Sequence, residues 1–395
     1  MRSAARERFV SLLPLASVFA GALLLPWTSQ ATSMSQASSM PVASSSDNSS
    51  DTVARAVSSL PIDIFAAVDL VGPFSMDQDS QNRWVPRSAE FSFSGAIDPM
   101  FDGALVFAGH TESDEFKFGL HEAYVGSTRL IPQSRFKLGK FLLGVGRLNQ
   151  FHQHDWPFIT APKVHRQFFN AGAGVVQAES AADSGVEYTW NLPTEAVVDL
   201  TLGVTNGYCF GHCHTEGQRP IHPLVYAHPT LFIENETSGG HLIGATYLRR
   251  SDSVGTITEL VGVDWTYKFR EARRLKWLVQ SEAYLQKRRR SGTDNVEQAG
   301  LYVYPQYAWD SSWSFGCRLD AFSELSLKFV STGERRADLD YAIVPTLTYR
   351  SSEYLMFRVA YAHEVDTTEG VGDQRDRQFM LQAVYIMGAH PAHDF

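Results

Sequence analysis

The stretch LKWLVQSEAYLQ, residues 275–286, shows the pattern that decides the fold. Its odd-numbered positions are mostly apolar: Leu275, Trp277, Val279, Ser281, Ala283 and Leu285. Most even-numbered positions carry a charge, an amide or a hydroxyl: Lys276, Gln280, Glu282, Tyr284 and Gln286. Successive side chains of a strand point to opposite faces, so this alternation predicts a β-strand with one apolar and one polar face.

The same period of two recurs from Pro61 onward, and no helical pattern there runs longer than two turns. Turn residues separate the alternating segments. The predicted strands are 62–71, 87–98, 103–112, 115–127, 134–145, 184–192, 195–206, 224–235, 240–250, 256–269, 273–288, 296–309, 312–322, 338–350, 353–364 and 377–389. Sixteen is an even number, as single-chain bacterial barrels require.

The composition favours a membrane barrel over a soluble sandwich. Aromatic residues make up 12% of the 395 residues and charged residues 19%, against about 25% charged in soluble domains. A sandwich would bury the aromatic face, and the Tyr and Trp polar atoms would then need partners. A barrel turns this face to lipid. We therefore predict an all-β fold, a transmembrane antiparallel β-barrel of about 16 strands, within a range of roughly 14–18.

The lengths of the connections support this prediction. Every even-numbered connection between the predicted strands is short, whereas the long ones, 72–86, 146–183, 207–223, 323–337 and 365–376, are all odd-numbered. Short periplasmic turns with long extracellular loops are typical of outer-membrane barrels. A soluble β protein has no physical reason to follow this parity.

The N-terminal residues predict export. Arg2, Arg6 and Arg8 precede an apolar stretch from Val10 to Pro26, which predicts a signal peptide over residues 1–31. An uncleaved membrane anchor is the alternative. Residues 32–60 are rich in Ser and predict a disordered linker, so the barrel would span residues 61–395. Later in the chain no apolar run approaches the ~20 residues of a membrane helix. The predicted location is the outer membrane of a Gram-negative cell, with its lipid as a partner.

The longest connection contains the first group of candidate site residues. It reads GRLNQFHQHDWPFITAPKVHRQFF over residues 146–169. Should it fold into the lumen, Arg147, Asp155, His165 and Arg166 would line a pore constriction. His152, His154 and Asp155 offer imidazole and carboxylate ligands for zinc. Alternatively, these side chains only satisfy backbone groups and solvent.

A second group lies in the connection NGYCFGHCHTEGQRPIHP, residues 206–223. Cys209, His212, Cys213 and His214 could bind zinc or copper, and they are the remaining metal candidates. A Cys209–Cys213 disulfide is the alternative. The spacing does not match the common haem-attachment motif. The histidines on predicted strands, His110, His121, His228, His241 and His363, are spread singly and predict no site.

Several short motifs resemble a family of bacterial outer-membrane porin-like barrels that often carry a zinc-related transport label. They are KLGKF at 137–141, GRLN at 146–149, HQHDWPF at 152–158, the closing FF at 168–169, and GAHPAHDF at 388–395. The resemblance implies an outer-membrane barrel with a porin-like role. The terminal Phe395 resembles the aromatic residue that the barrel assembly machinery reads, although Pro391 and two histidines interrupt the usual alternation.

No enzyme signature is present, so no catalytic residue is predicted. A net charge of −9 disfavours nucleic acid as a partner. A plugged active receptor needs about 22 strands and a plug domain, for which residues 32–60 leave no room. We expect a porin-like channel for passive diffusion of small solutes or ions, including zinc or another transition metal. The alternative is a non-conducting barrel whose loops bind a ligand or act in adhesion. Homo-oligomers are compatible with either hypothesis, and zinc is the only cofactor suggested.

Overall fold

The computed structural model describes residues 62–77, 82–112, 115–169, 179–208, 219–235, 238–290, 295–328, 339–368 and 372–388. These residues belong to one compact unit that spans residues 59–395. The predicted signal peptide, the linker, the Cys209–His214 cluster and Phe395 lie outside the described residues. Their roles stay predictions.

The described chain forms one closed antiparallel barrel in which each strand pairs with its neighbours in sequence, and β1 pairs with β16. The sixteen strands confirm the predicted number. They are β1 (Ile62–Ser75), β2 (Val85–Ala96), β3 (Asp102–Glu112), β4 (Glu115–Ser127), β5 (Ser134–Leu142), β6 (Ala182–Leu192), β7 (Val197–Thr205), β8 (Leu224–Asn235), β9 (Gly239–Ser251), β10 (Ile257–Glu271), β11 (Arg274–Arg289), β12 (Asn295–Ala308), β13 (Trp313–Lys328), β14 (Leu339–Arg350), β15 (Leu355–Thr368) and β16 (Gly372–Gly388).

The faces are arranged as a membrane barrel requires. On β13, Phe315 and Leu319 are exposed on the outside, whereas Arg318 and Asp320 are buried on the inside. The outward Cys317 lies between Phe315 and Leu319 and is a free thiol. Aromatic side chains form a girdle near the short connections that follow β6, β10, β12 and β14: Trp190, Trp277, Tyr307, Trp309, Trp313, Tyr349 and Phe357. Apolar exteriors with interfacial aromatic residues are characteristic of outer-membrane barrels.

Several strand ends differ from the predicted ones. β13 continues to Lys328, so the connection expected at 323–337 is shorter. β15 ends at Thr368 and β16 begins at Gly372, so the connection expected at 365–376 is reduced to residues 369–371. The added part of β13 pairs with β12 at Asn295–Gln298, and the added parts of β15 and β16 pair with each other from Val365↔Arg375 to Thr368↔Gly372. The alternation of apolar and polar residues predicts only the part of a strand that has one face in contact with lipid. β5 ends at Leu142 rather than at residue 145, because the chain turns into the lumen there.

The β5–β6 connection, residues 143–181, lies in the lumen over its described parts, 143–169 and 179–181, and we call it the lumen loop. Its described parts contain two short 3₁₀ helices, Leu148–Gln150 and Gln153–Asp155, and one α-helix, α1 (Lys163–Phe168). No helix in the described part of the chain is both long enough and apolar enough to cross a bilayer. The largest apolar cluster lies where the lumen loop packs against the inner wall.

The exterior of β10 provides a test of the membrane arrangement. Val263 lies near the middle of that strand and is exposed. We expect Val263→Arg to lower the free energy of unfolding by about 2–4 kcal/mol, since an arginine at the bilayer midplane costs that much. The matched control Val263→Leu should change it by less than about 0.5 kcal/mol. Urea unfolding in lipid vesicles, followed by loss of heat-modifiable migration on gels, measures both. Equal stability of the two variants would contradict the assignment of this face to lipid.

Candidate functional site: the loop inside the barrel

The lumen loop turns inward at two glycines of the GRLN region. Gly144 N–H donates to Glu187 Oε2 at 2.9 Å, and Gly146 N–H donates to Thr246 Oγ1 at 3.1 Å. Gly146 has a φ of +61°, and a β-carbon there would overlap the hydroxyl of Tyr284. A residue with a side chain is therefore excluded at position 146 by both conformation and space.

Asn149 joins the two ends of the lumen loop. Its amide donates to the carbonyl oxygens of Leu143 at 2.8 Å and Ala181 at 3.0 Å, and its Oδ1 accepts from Ala181 N–H at 2.6 Å. The side chain is fully buried. One asparagine thus satisfies three backbone groups that would otherwise be unpaired away from water.

Two arginines of the wall bind carbonyl groups in the middle of the loop. Arg87 on β2 donates to Ile159 O and also pairs with Asp69. Arg318 on β13 donates to Thr160 O, and its Nε lies 2.9 Å from Asp320 Oδ1. Both guanidinium groups are buried, and a neighbouring carboxylate balances the charge of each.

Glu282 on β11 holds the first and last parts of the loop together. Its Oε1 accepts from Leu148 N–H at 2.7 Å and from the Tyr302 hydroxyl at 2.8 Å. Its Oε2 accepts from the Tyr284 hydroxyl at 2.6 Å and lies 3.2 Å from His165 Nε2. The carboxylate is fully buried and has four hydrogen-bonding neighbours, which accounts for all its lone pairs.

Helix α1 binds the side of the wall formed by β15. Arg166 donates to Glu364 Oε2 at 2.8 Å, and the Lys163 ammonium lies 3.4 Å from the same oxygen and also binds Asp366. Burial by itself would lower the pKa of Arg166, but the Glu364 charge outweighs it and raises the pKa. Side chains of β2, β6, β9, β11, β13 and β15 therefore bind the loop from positions all around the inner wall of the barrel.

His152 lies between two carboxylates of the opposite wall. Its Nδ1 is 3.2 Å from Glu90 Oε2, and its Nε2 is 2.8 Å from Glu122 Oε1. Burial would lower the pKa of His152, but the charges of Glu90 and Glu122 outweigh that effect and raise the pKa to about 10. The ring is then an imidazolium at neutral pH when no metal is bound.

His154 has a similar environment. Its Nε2 is 3.2 Å from Asp155 Oδ2, and its Nδ1 is 3.7 Å from Glu90. Burial opposes the raised pKa of His154, but Asp155 and Glu90 dominate. The rings of His152 and His154 are parallel, with centroids 5.9 Å apart. Neither belongs to a set of converging donor atoms within the described residues.

An apolar core seals the loop against the wall. Trp156, Phe158 and Phe168 are at most 2% exposed. The Phe158 ring packs edge-on against Tyr302 and Tyr304 and lies under the Arg318 guanidinium, 4.7 Å from its centre. The HQHDWPF and FF motifs thus supply packing as well as charge, and the loop occupies much of the lumen.

The predicted constriction residues all lie in the lumen loop, in different surroundings. Arg147 is buried over the Phe151 ring, 4.5 Å from its centre. His165 is buried against Glu282, while Arg166 is partly exposed beside Glu364. His165 and Arg166 anchor the loop to the wall, and a role of all three residues in lining a passage stays a prediction, as does metal binding at His152, His154 and Asp155.

The sequence interpretation missed one group. His110 on β3, His121 on β4 and Glu179 near the end of the lumen loop place their donor atoms within 4.8 Å of one another. The two histidines are eleven residues apart, in adjacent predicted strands. The sequence therefore indicated that the two histidines lie on neighbouring strands. It did not give the strand register that brings their rings together.

The clamp at Asn149 provides a test of how the loop is held. We expect Asn149→Ala to lower the free energy of unfolding by about 1–3 kcal/mol, because buried backbone groups of Leu143 and Ala181 lose their partner. External protease should also cleave the loop faster. The control Asn191→Ala removes an exposed hydrogen bond to Asp199 and should leave both measurements nearly unchanged. Unaltered cleavage and stability in Asn149→Ala would show that the clamp does not hold the loop.

Comparisons with known proteins give the fold but no family. No family model matches the chain. An uncharacterised protein of Aquifex aeolicus is 23% identical over 344 residues, which are 78% of this chain and 69% of that protein.

Three solved structures share the architecture. The outer-membrane channel DcaP of Acinetobacter baumannii has a TM-score of 0.59 at 11% identity and covers 82% of this chain and 97% of its own. An anion-selective porin from Comamonas acidovorans has a TM-score of 0.58 at 9% identity, with 82% and 99% covered. The trimer form of Vibrio cholerae OmpT has 0.54 at 9%, with 82% and 99% covered. The chain thus has the closed sixteen-stranded barrel fold of these outer-membrane porins.

Proposed function

We propose that this protein is an outer-membrane channel for passive diffusion of small hydrophilic solutes or ions, and that the lumen loop is its constriction. The observation that carries the proposal is a long loop held inside a sixteen-stranded barrel by anchors on at least six strands. Barrels of sixteen strands are wide enough for an aqueous channel. A loop fixed across such a lumen narrows it and sets the size of what passes.

The charged side chains in the lumen support the passage of a hydrophilic solute. They favour neither cations nor anions. Lys268 faces the lumen close enough to Arg147 and Arg270 for their charges to repel. Glu364, Asp366 and Asp340 lie near α1. Both signs therefore line the interior, and ion selectivity is not part of the proposal. DcaP is an outer-membrane channel and the Comamonas protein is a porin, which agrees with this role. An enzymatic role is not proposed, and a passage dedicated to zinc stays a separate prediction.

A non-conducting barrel is the second candidate, and the buried apolar cluster favours it. Leu148, Trp156, Phe158, Val164 and Phe169 are fully buried in the lumen. A tightly packed loop of this kind could close the passage and leave the outer connections to bind a ligand. In either case the trimer form of OmpT supports the expectation of a homo-oligomer.

Conductance of the purified barrel in planar lipid bilayers separates these two functions. We expect steady open steps from the natural chain. Deleting residues 151–168 should raise the conductance severalfold, because the deletion removes Trp156, Phe158 and α1 while leaving both flanking strands. The Asn191→Ala variant, altered only at a wall turn, should conduct like the natural chain. Heat-modifiable migration verifies that each barrel has folded.

Two results would contradict the proposal, the first its channel and the second its constriction. A silent bilayer for the natural chain with steady steps only after the deletion would identify the non-conducting barrel. An open conductance that the deletion leaves unchanged would remove the lumen loop as the constriction.

A further inference from the structure

We propose that His110, His121 and Glu179 bind one divalent transition-metal ion of the zinc class in a seam of the barrel wall. None of these residues belongs to the metal candidates predicted from the sequence. The site uses none of the contacts that hold His152 or His154. It is also independent of whether the barrel conducts.

The seam forms where β5 leaves the wall. The described pairing between β4 and β5 covers only Ala123–Ser127 on β4, because the chain turns inward after Leu142. Lys140 then donates from its ammonium to Leu120 O at 2.6 Å, so one backbone carbonyl of the β4 edge is satisfied by a side chain. A cavity of about 30 Å³ lies at this place, lined by Glu90, His110, His121, Lys140, His152 and Glu179 among others. That volume exceeds the ~10–15 Å³ needed for one water.

A β-bulge brings the two histidines together. The β3–β4 register shifts between Val106 and Phe107, whose partners are Glu122 and Leu120, and His121 is the extra residue. Bulges redirect a side chain from its expected face. The His121 ring consequently stacks on that of His110, with centroids 4.6 Å apart, and their Nε2 atoms are 3.1 Å apart.

The geometry around these nitrogens fits a metal. Two imidazole nitrogens that bind one tetrahedral zinc at 2.0–2.1 Å lie roughly 3.3 Å from each other. Glu179 Oε1 is 2.8 Å from His110 Nδ1, so a carboxylate oxygen lies directly beside the pair of rings. The three residues supply two nitrogens and one oxygen within 4.8 Å, and the cavity leaves room for a water as the fourth ligand.

The charges around the cavity also favour a cation. Glu90 is nearly fully buried, and its Oε1 has no hydrogen-bond partner. Its Oε2 pairs with His152, so Oε1 is the part of this carboxylate that a positive ion in the cavity would stabilise. Lys140 opposes this effect, but its ammonium is directed to Leu120 O. Imidazole ligands with one carboxylate select zinc, copper or nickel over magnesium and calcium.

Zinc titration calorimetry on the folded, detergent-solubilised full chain tests the site. The background protein carries Cys209→Ser, His212→Ala, Cys213→Ser and His214→Ala, so that the other candidate cluster cannot contribute. We expect one zinc per chain in this background and loss of that zinc in His121→Ala. The control His241→Ala changes an outward ring stacked on Trp265 and Tyr267 and should keep the zinc.

A second variant and a spectrum address folding and ligand identity. Glu179→Gln keeps the shape but replaces the anionic ligand by a neutral amide, and it should weaken zinc binding by at least about 10-fold. Copper(II) bound to the background protein should show electron-paramagnetic-resonance splitting from two nitrogens, and from one at most in His121→Ala. Heat-modifiable migration confirms that every variant has folded. Zinc binding that is absent from the background, or that persists unchanged in His121→Ala, would overturn the proposal and leave a hydrogen-bonded histidine pair.

Discussion

Inside the hydrocarbon layer every backbone N–H and C=O group must find its partner within the protein, and the rest of the structure depends on this constraint. Pairing of β1 with β16, from Phe65↔Gly388 to Ser75↔Gln378, closes the sheet and removes its edges. Closure by sixteen strands creates a lumen too wide for wall side chains alone to fill. The lumen loop occupies this space, and its own backbone groups then need partners from the wall.

The wall supplies those partners mainly as buried charges. Arg87, Arg318 and Glu282 bind backbone groups of the loop, and each has a counter-charge, hydroxyls or a histidine beside it. Buried ion pairs contribute little net stability because desolvation is costly, but removing one partner is strongly destabilising. Their effect here is to specify one position of the loop. The fixed shape of the loop inside the lumen follows from this geometry more than from the strength of any one pair.

Where β5 leaves the wall to form the loop, the sheet is locally incomplete. The same departure produces the seam lined by His110, His121 and Glu179. One turn of the chain at Leu143 thus accounts for both the filled lumen and the cavity in the wall. The channel hypothesis and the metal hypothesis concern two consequences of one topological feature, and they can fail separately.

The sequence by itself determined the strand number and the inward and outward faces, because a period of two reports directly which side chains meet lipid. It also marked GRLN and HQHDWPF as special, since such residues do not alternate. The end of β13 was set too early, at residue 322, because Ser323 interrupts the apolar outward face of that strand. Only the tertiary structure decided that the loop lies in the lumen, that Asn149 joins its ends, and that His110 meets His121. Those contacts depend on strand register and on a single bulge, which arise from pairing with the neighbouring strand and leave no periodic trace in the residues themselves.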